Sequence, residues 1–232
     1  MTLTGAPIAA NLLDLKYARA RLDFSHFLEY VKVKEPPPGL GIIPFEAWPH
    51  LLEMVRLLGS ERFVVWLKSR QIGASWLLGA YAVWTAQYHT AARVWLFSRG
   101  EDDAQELLGK AAFIHSQLPK GLQVSLGANN TEQMAFPSAH SSIMAFPSTP
   151  HAGRSYTFTL VVFDEADFHE YLERDYAAVR PTLEDNGGQM ILASTMDKAT
   201  QVSTFKGLYR KAPGNGFKKV FQGWRVRPNR DQ

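Results

Sequence analysis

Residues 67–78 read "LKSRQIGASWLL". A phosphate-binding loop of the G-x-x-x-x-G-K-[ST] kind lies between a strand and a helix. The eight positions from Lys68 to Ser75 carry K-S-R-Q-I-G-A-S in its place. Gly73 and Ser75 fit that pattern. The first glycine has become Lys68, and the usual lysine has become Ala74. The stretch is therefore a dead nucleotide site, a chance match, or a working site whose lysine has moved.

The flanks favour a loop of this type. "RFVVWL" (62–67) is a β-branched and aromatic run, expected to be a buried strand. Ser75 to about Tyr88 reads as an apolar helix, and its longest apolar run, Trp76 to Ala86, is too short to span a bilayer and reads as buried. "RVWLFS" (93–98) is a second strand, and "GEDDAQELLGKAAFIHSQL" a helix with acids in its first turn, where the helix dipole favours them. Strand, helix, strand, helix predicts an α/β fold with a parallel sheet. Upstream, residues 1–34 read as helices, "KEPPPGLG" as a break, and "PHLLEMVRLLGS" as a helix starting near Pro49. Downstream, "MAFPS" at 134 and again at 144 predicts a hairpin through "SAHSS", held at a sheet edge by its prolines. "FTLVVF" (158–163), "QMILAS" (189–194) and "FKKVFQGW" (217–224) complete the expected strands.

Composition narrows the chemistry. The chain has 232 residues, enough for one sizeable core with a small accessory lobe. It has no cysteine, which excludes disulfides, thiolate metal sites and cysteine nucleophiles. Its net charge is +3, and basic residues gather in "TFKGLYRKAPGNGFKKVFQGWRVRPNR". A basic patch there admits nucleic acid as a partner. No membrane span or signal peptide is read, so no membrane partner is expected.

Two further motifs complete a constellation. "TLVVF" delivers Asp164 and Glu165 at its C-terminal end, the Walker B arrangement. The first acid would order Mg2+ with Ser75, and the second would deprotonate an attacking water. "ILASTM" ends the next strand with Ser194 and Thr195, small hydroxyls that would lie beside Asp164 if the two strands are neighbours. Acids or hydroxyls closing a strand are common turn residues one motif at a time. The order decides: loop, then Asp-Glu about ninety residues later, then Ser-Thr about thirty later, all at strand ends where open α/β sheets bind ligands. In this setting Lys68, at the strand exit, has a stem of roughly 6 Å, enough to cross the loop and replace the missing charge. Arg70 is a second cation in the same loop. The backbone from Ser69 through Gln71, Ile72 and Gly73 to Ala74 would cradle phosphate whatever the side chain at 74.

Taken together, "KSRQIGAS", "LVVFDEADF", "ILASTM" and the upstream "PFEAWPHLLE" resemble the ATPase domain of the large terminase subunit of tailed phages. The resemblance covers roughly residues 40–225. It implies a P-loop NTPase of the additional-strand, RecA-like type: a mostly parallel central sheet flanked by helices, with a small N-terminal helical lobe or lid over 1–40, a core over 41–226, and 227–232 opening a linker toward a nuclease domain. It implies ATP and Mg2+ as cofactors, with Ser75 and Asp164 at the metal and Glu165 as base. Lys68 stands where some members of the family place the loop lysine. Ser194 and Thr195 resemble the family's coupling motif. His50 falls where the family commonly has an adenine-contacting glutamine, and Arg154 where it has an arginine before the Walker B aspartate, placed to serve a neighbouring subunit. The implied partners are double-stranded DNA, the portal protein, the small terminase subunit and further copies of the chain in a ring, in the host cytoplasm on a procapsid.

Competing readings remain. Asp164 to Asp167 spell D-E-A-D, and "AST" echoes a helicase motif, but a helicase needs a second RecA-like domain. A degenerate loop would make a non-catalytic scaffold. His50, His115, His140, His151 and His169 match no metal-ligand spacing. Trp48, Trp66, Trp76, Trp84 and Trp95 read as core, though Trp48 could face a base.

Overall fold

The computed structural model describes residues 6–35, 41–147 and 157–228. Arg154 and His151 lie outside the described residues, as do 229–232 of the expected linker.

The centre is a seven-stranded sheet. Its strands are β3 (Phe63–Lys68), β4 (Arg93–Ser98), β5 (Gln133–Phe136), β6 (Ser141–Pro147), β7 (Leu160–Asp164), β8 (Gln189–Ser194) and β9 (Lys218–Gln222). They lie in the order β5-β6-β4-β7-β8-β3-β9. Every neighbouring pair is parallel except β5 with β6, the expected hairpin, which puts β5 at one edge. Parallel strands need cover on both faces, which is why β7 and β8 read as unbroken apolar runs rather than alternations. The alternation is present but hidden, because both faces are apolar. Val64, Trp66, Val94, Leu96, Val162 and Ile191 join one buried cluster. Phe63, Val65, Trp95, Phe97, Phe163 and Leu192 join another on the opposite face.

The first face is covered by α3 (Pro49–Ser60), α4 (Ala74–Tyr88) and α5 (Glu101–Gln117), whose Leu51, Met54, Leu77, Leu107 and Ile114 sit in its cluster. The second is covered by α6 (Leu172–Asn186) and α7 (Thr204–Lys211), through Leu172, Val179, Leu183 and Phe205. The sheet is therefore doubly wound, as the motif order implies. A fully buried aliphatic side chain such as Ile191 contributes about 1.5–3 kcal/mol relative to exposure. Among the described residues no helix is long and apolar enough to cross a membrane.

The N-terminal segment differs in part from expectation. Helices α1 (Ala6–Leu22) and α2 (Phe24–Phe27) form, but the helical reading fails by residue 32. Lys32–Glu35 is a strand, β1, paired antiparallel with β2 (Gly41–Pro44), Val33 opposite Ile43. The reason is period: Val33 is buried between exposed Lys32 and Lys34, an alternation of two that suits a strand. The hairpin thus straddles the boundary expected at 40/41. The lobe also shares the core cluster of the first face. Phe24 packs edge-on against Tyr81 with ring centres 4.9 Å apart, and Trp84 Nε1 donates to the Ala20 carbonyl at 3.1 Å.

Candidate active site

Because β3, β4, β7 and β8 run parallel, their C-terminal residues share one edge of the sheet. The register aligns them: Leu67 lies opposite Ser194, and Asp164 opposite Ala193. Strand β8 sits between β3 and β7, so the loop strand and the Asp-Glu strand are separated by the strand carrying Ser194.

The loop between β3 and α4 spans 69–73. Gly73 caps α4 with φ +81°, and a Cβ there would come within 3.0 Å of Leu51 Cδ1, so glycine suits both the turn and the space. Gln71 also adopts a left-handed conformation, φ 59°. The loop is fastened from below. Ser69 N donates to the Gln222 carbonyl at 2.9 Å, and His50 Nε2 donates to the Ile72 carbonyl at 2.9 Å. Gln222 Nε2 in turn donates to the His50 carbonyl at 2.8 Å. His50 is buried beneath the loop and does not line the cleft. The expected adenine contact therefore has no direct support from its position, which instead braces the loop. Trp48 lies beside it, ring centres 5.7 Å apart, and also away from the cleft.

Above the loop lies a cleft of about 400 Å³. It is lined by every residue from Lys68 to Ser75 and by Asp164, Glu165 and Thr195. Lys68 Nζ lies 2.8 Å from Glu165 Oε1 and 3.5 Å from Asp164 Oδ1. Ser75 Oγ donates to Asp164 Oδ2 at 2.6 Å. Thr195 donates to Glu165 Oε2 from both its N and its Oγ1, each at 3.1 Å. Lys68, Ser75, Asp164, Glu165 and Thr195 are thus one connected set. Ser194 faces away from the cleft: its Oγ accepts from Asp167 N at 2.9 Å and donates to the Thr195 carbonyl at 2.7 Å.

The charges are mutually tuned. Burial alone would lower the Lys68 ammonium, but Asp164 and Glu165 beside it hold it above its ordinary value. Burial alone would raise Glu165; the Lys68 charge and hydrogen bonds from Lys68 and Thr195 hold it below the usual carboxylate range. Lys68 stays charged and Glu165 ionised, a buried pair that needs each partner.

Several further residues around the site have no role assigned from the sequence. His169 Nε2 donates to the Asp164 carbonyl at 3.0 Å, and burial pushes its imidazole down to about 4. Asp167 accepts from Asp197 N at 2.7 Å and from Ser203 Oγ, and lies 3.1 Å from Lys206 Nζ. Trp76, Ser98, Arg99 and Asp103 also line the cleft. The rule that ligands meet strand C-termini would have found Ser98 and Arg99, which follow "RVWLF" directly. Of the tryptophans expected in the core, Trp66 and Trp95 are buried, while Trp76 and Trp84 are only partly so.

No family model matches the chain. Solved structures do. The large terminase ATPase domain of Thermus phage P74-26 superposes with a TM-score of 0.59 at 16% identity, covering 81% of this chain and 90% of that one. The large terminase of bacteriophage HK97 gives 0.65 at 9% identity, over 84% of this chain but 42% of that one. The large terminase of a thermophilic bacteriophage, in complex with ADP, gives 0.55 at 10% identity, over 71% and 41%. The chain thus spans nearly the whole of an isolated ATPase domain and less than half of longer terminase chains. At identities this low the likeness is one of fold. The fold of this chain is that of the ATPase domain of phage large terminases.

Proposed function

We propose that this chain is a Mg2+-dependent ATP hydrolase serving as the motor module of a phage DNA-packaging machine. It would drive double-stranded DNA into a procapsid in the host cytoplasm, working with a portal protein, a small terminase subunit and further copies of itself in a ring. One observation carries the enzymatic part. Lys68, leaving the loop strand, reaches both Asp164 and Glu165. A degenerate scaffold has no use for a buried lysine held against two carboxylates, one of which accepts from Ser75.

The geometry supports the following roles. The loop N–H groups and the start of α4 receive the phosphates. Ser75 Oγ and Asp164 Oδ2, 2.6 Å apart, converge on one point, a hydroxyl and a carboxylate suited to a small hard cation that keeps water and phosphate oxygens as its other ligands. Mg2+ bound there would neutralise phosphate charge. Among the described residues no group of three or more acids and histidines could hold a metal ion by itself. Lys68 turns from Glu165 to the terminal phosphate. Glu165, released, accepts a proton from water, while Thr195 keeps its carboxylate oriented. The ADP-bound terminase of similar fold supports the choice of nucleotide.

The test is Lys68→Ala. Hydrolysis should fall by at least about 10²-fold, as when one preorganised electrostatic donor is lost, and ATP binding should weaken. Turnover at the wild-type rate would sink the assignment and move suspicion to Arg70.

A further inference from the structure

Strand β4 pairs with β7 in parallel, with Phe97 opposite Phe163. Continuing that register puts Ser98 level with Asp164 and Arg99 level with Glu165. Arg99 lines the same cleft as Lys68 and Glu165. Its guanidinium is held by Asp103 in the first turn of α5, Nε 2.6 Å from Oδ2 and Nη2 3.2 Å from Oδ1.

The placement needs an explanation. Arg99 stands just before the N-terminus of a 17-residue helix, where the helix dipole favours anions. Glu101, Asp102 and Asp103 obey that preference, and Arg99 opposes it. Its side chain is 56% exposed, and an exposed pair of this spacing adds little to stability. Stability is therefore a weak reason for the residue. Its position offers a better one. In the strand order β3-β8-β7-β4, Lys68 and Arg99 flank the two central strands from opposite sides. Three strand spacings separate their backbones by roughly 14 Å. Both side chains are long, each reaching roughly 6–7 Å, so a group lying over β7 and β8 falls within reach of both.

We infer that Arg99 is a second cation for the terminal phosphate of a bound nucleoside triphosphate, exchanging the Asp103 carboxylate for that phosphate when nucleotide arrives. The inference rests on the nucleotide reading of the cleft. It makes Arg99 a catalytic residue supplied by the same chain that holds the nucleotide. Lys68 and Arg99 then meet the phosphate from opposite walls. Asp103 is the resting partner that keeps the guanidinium in place beforehand.

The test compares fluorescent N-methylanthraniloyl ATP and ADP binding, in Mg2+, to the full chain and to Arg99→Ala, Arg99→Lys and Asp103→Asn. Thermal midpoints are recorded alongside, so that unfolding is not read as lost affinity. Arg99→Ala should weaken ATP by about tenfold or more and leave ADP nearly unchanged, since only ATP carries the terminal phosphate. Its turnover should fall by about 10²–10³-fold. Arg99→Lys should keep part of the preference for ATP. Asp103→Asn should keep all of it or increase it. An unchanged ATP-to-ADP ratio in Arg99→Ala would overturn the inference, as would equal losses on both nucleotides in Arg99→Ala and Asp103→Asn. A wild-type chain that binds neither nucleotide would instead overturn the nucleotide reading, and the inference with it.

Discussion

Glu165 has φ 51° and ψ 42°, a left-handed backbone that a residue with a Cβ adopts at a cost. The conformation turns the chain sharply after β7, with Glu165 N donating to Asp164 Oδ1 at 3.0 Å. The two neighbouring acids then take different partners: Asp164 meets Ser75, and Glu165 meets Lys68 and Thr195. Different partners predict different failures. Glu165→Gln should bind ATP and hold it unhydrolysed, while Asp164→Asn should lose the Mg2+-dependent part of binding. Titrating ATP against each variant with and without Mg2+ checks this, and identical behaviour at saturating Mg2+ would void the division. His169 makes a second prediction at this scale. Its folded imidazole sits near 4, below its unfolded value of about 6.5, so the unfolded chain binds the extra proton between those pH values. Stability should be complete above pH 6.5 and lost as pH falls toward 4, by on the order of 3 kcal/mol from this group. Urea midpoints measured from pH 7 to pH 4.5 should show that slope, and His169→Gln should flatten it. Lys68 could be read from the sequence because a lysine closing a strand before a G-x-S loop has few other uses. His169 could not, since only its burial against the Asp164 carbonyl brings it to the site.

At the scale of elements, the segment from β8 to α7 is tied to the Asp-Glu turn by a buried ion pair. Lys206 Nζ lies 3.1 Å from Asp167 Oδ2, donates to the Asp197 carbonyl at 2.6 Å, and also bonds the Thr200 carbonyl. Ser203 caps α7 through its side chain and donates to Asp167 as well. Lys206→Met would leave the Asp167 carboxylate buried and unneutralised, and should destabilise the fold by about 3–5 kcal/mol. Adding Asp167→Asn should restore part of that, a non-additivity that denaturant melts of the two single variants and the double variant would reveal. Neither α6 nor α7 was legible in the sequence, although the strands on either side were. Pro181 punctuates α6, whose few apolar anchors, Leu172, Tyr176, Val179 and Leu183, are set among charges. Helix α7 has only 8 residues, too few for its period to stand out. The β1–β2 hairpin was missed for a different reason: its two strands have four residues each, and pairing across a proline-rich break fixes them.

For the whole molecule, the motif order along the chain was enough to predict a parallel, doubly wound sheet, but not which strands touch. That β8 lies between β3 and β7 is a tertiary fact, and it puts Thr195 against Glu165. Assembly is a further step. Arg154 stands outside the described residues, in "TPHAGRSY" before β7. We propose that Arg154, which precedes β7 in the sequence, serves a neighbour's nucleotide in a head-to-tail ring. An arginine supplied in trans typically adds about 10³ to 10⁵ in rate. The rate per subunit should therefore rise with protein concentration or on a portal. Mixing Arg154→Ala chains with Glu165→Gln chains should regain some activity, because one interface then pairs an intact arginine with an intact base. A rate independent of concentration, with Arg154→Ala inactivating an unassisted monomer, would place the residue in cis.

The ion pair between Lys68 and Glu165 also bears on timing. On the proposed mechanism, a subunit without nucleotide would have its base clasped by Lys68 and nothing with which to activate water. A phosphate drawing Lys68 away would then arm the carboxylate, so that fuel would be loaded before the trigger is free. In a hydrolase that contact is a safety interlock. In a ring of such subunits it would keep those without nucleotide silent, leaving the firing order to follow the order of loading.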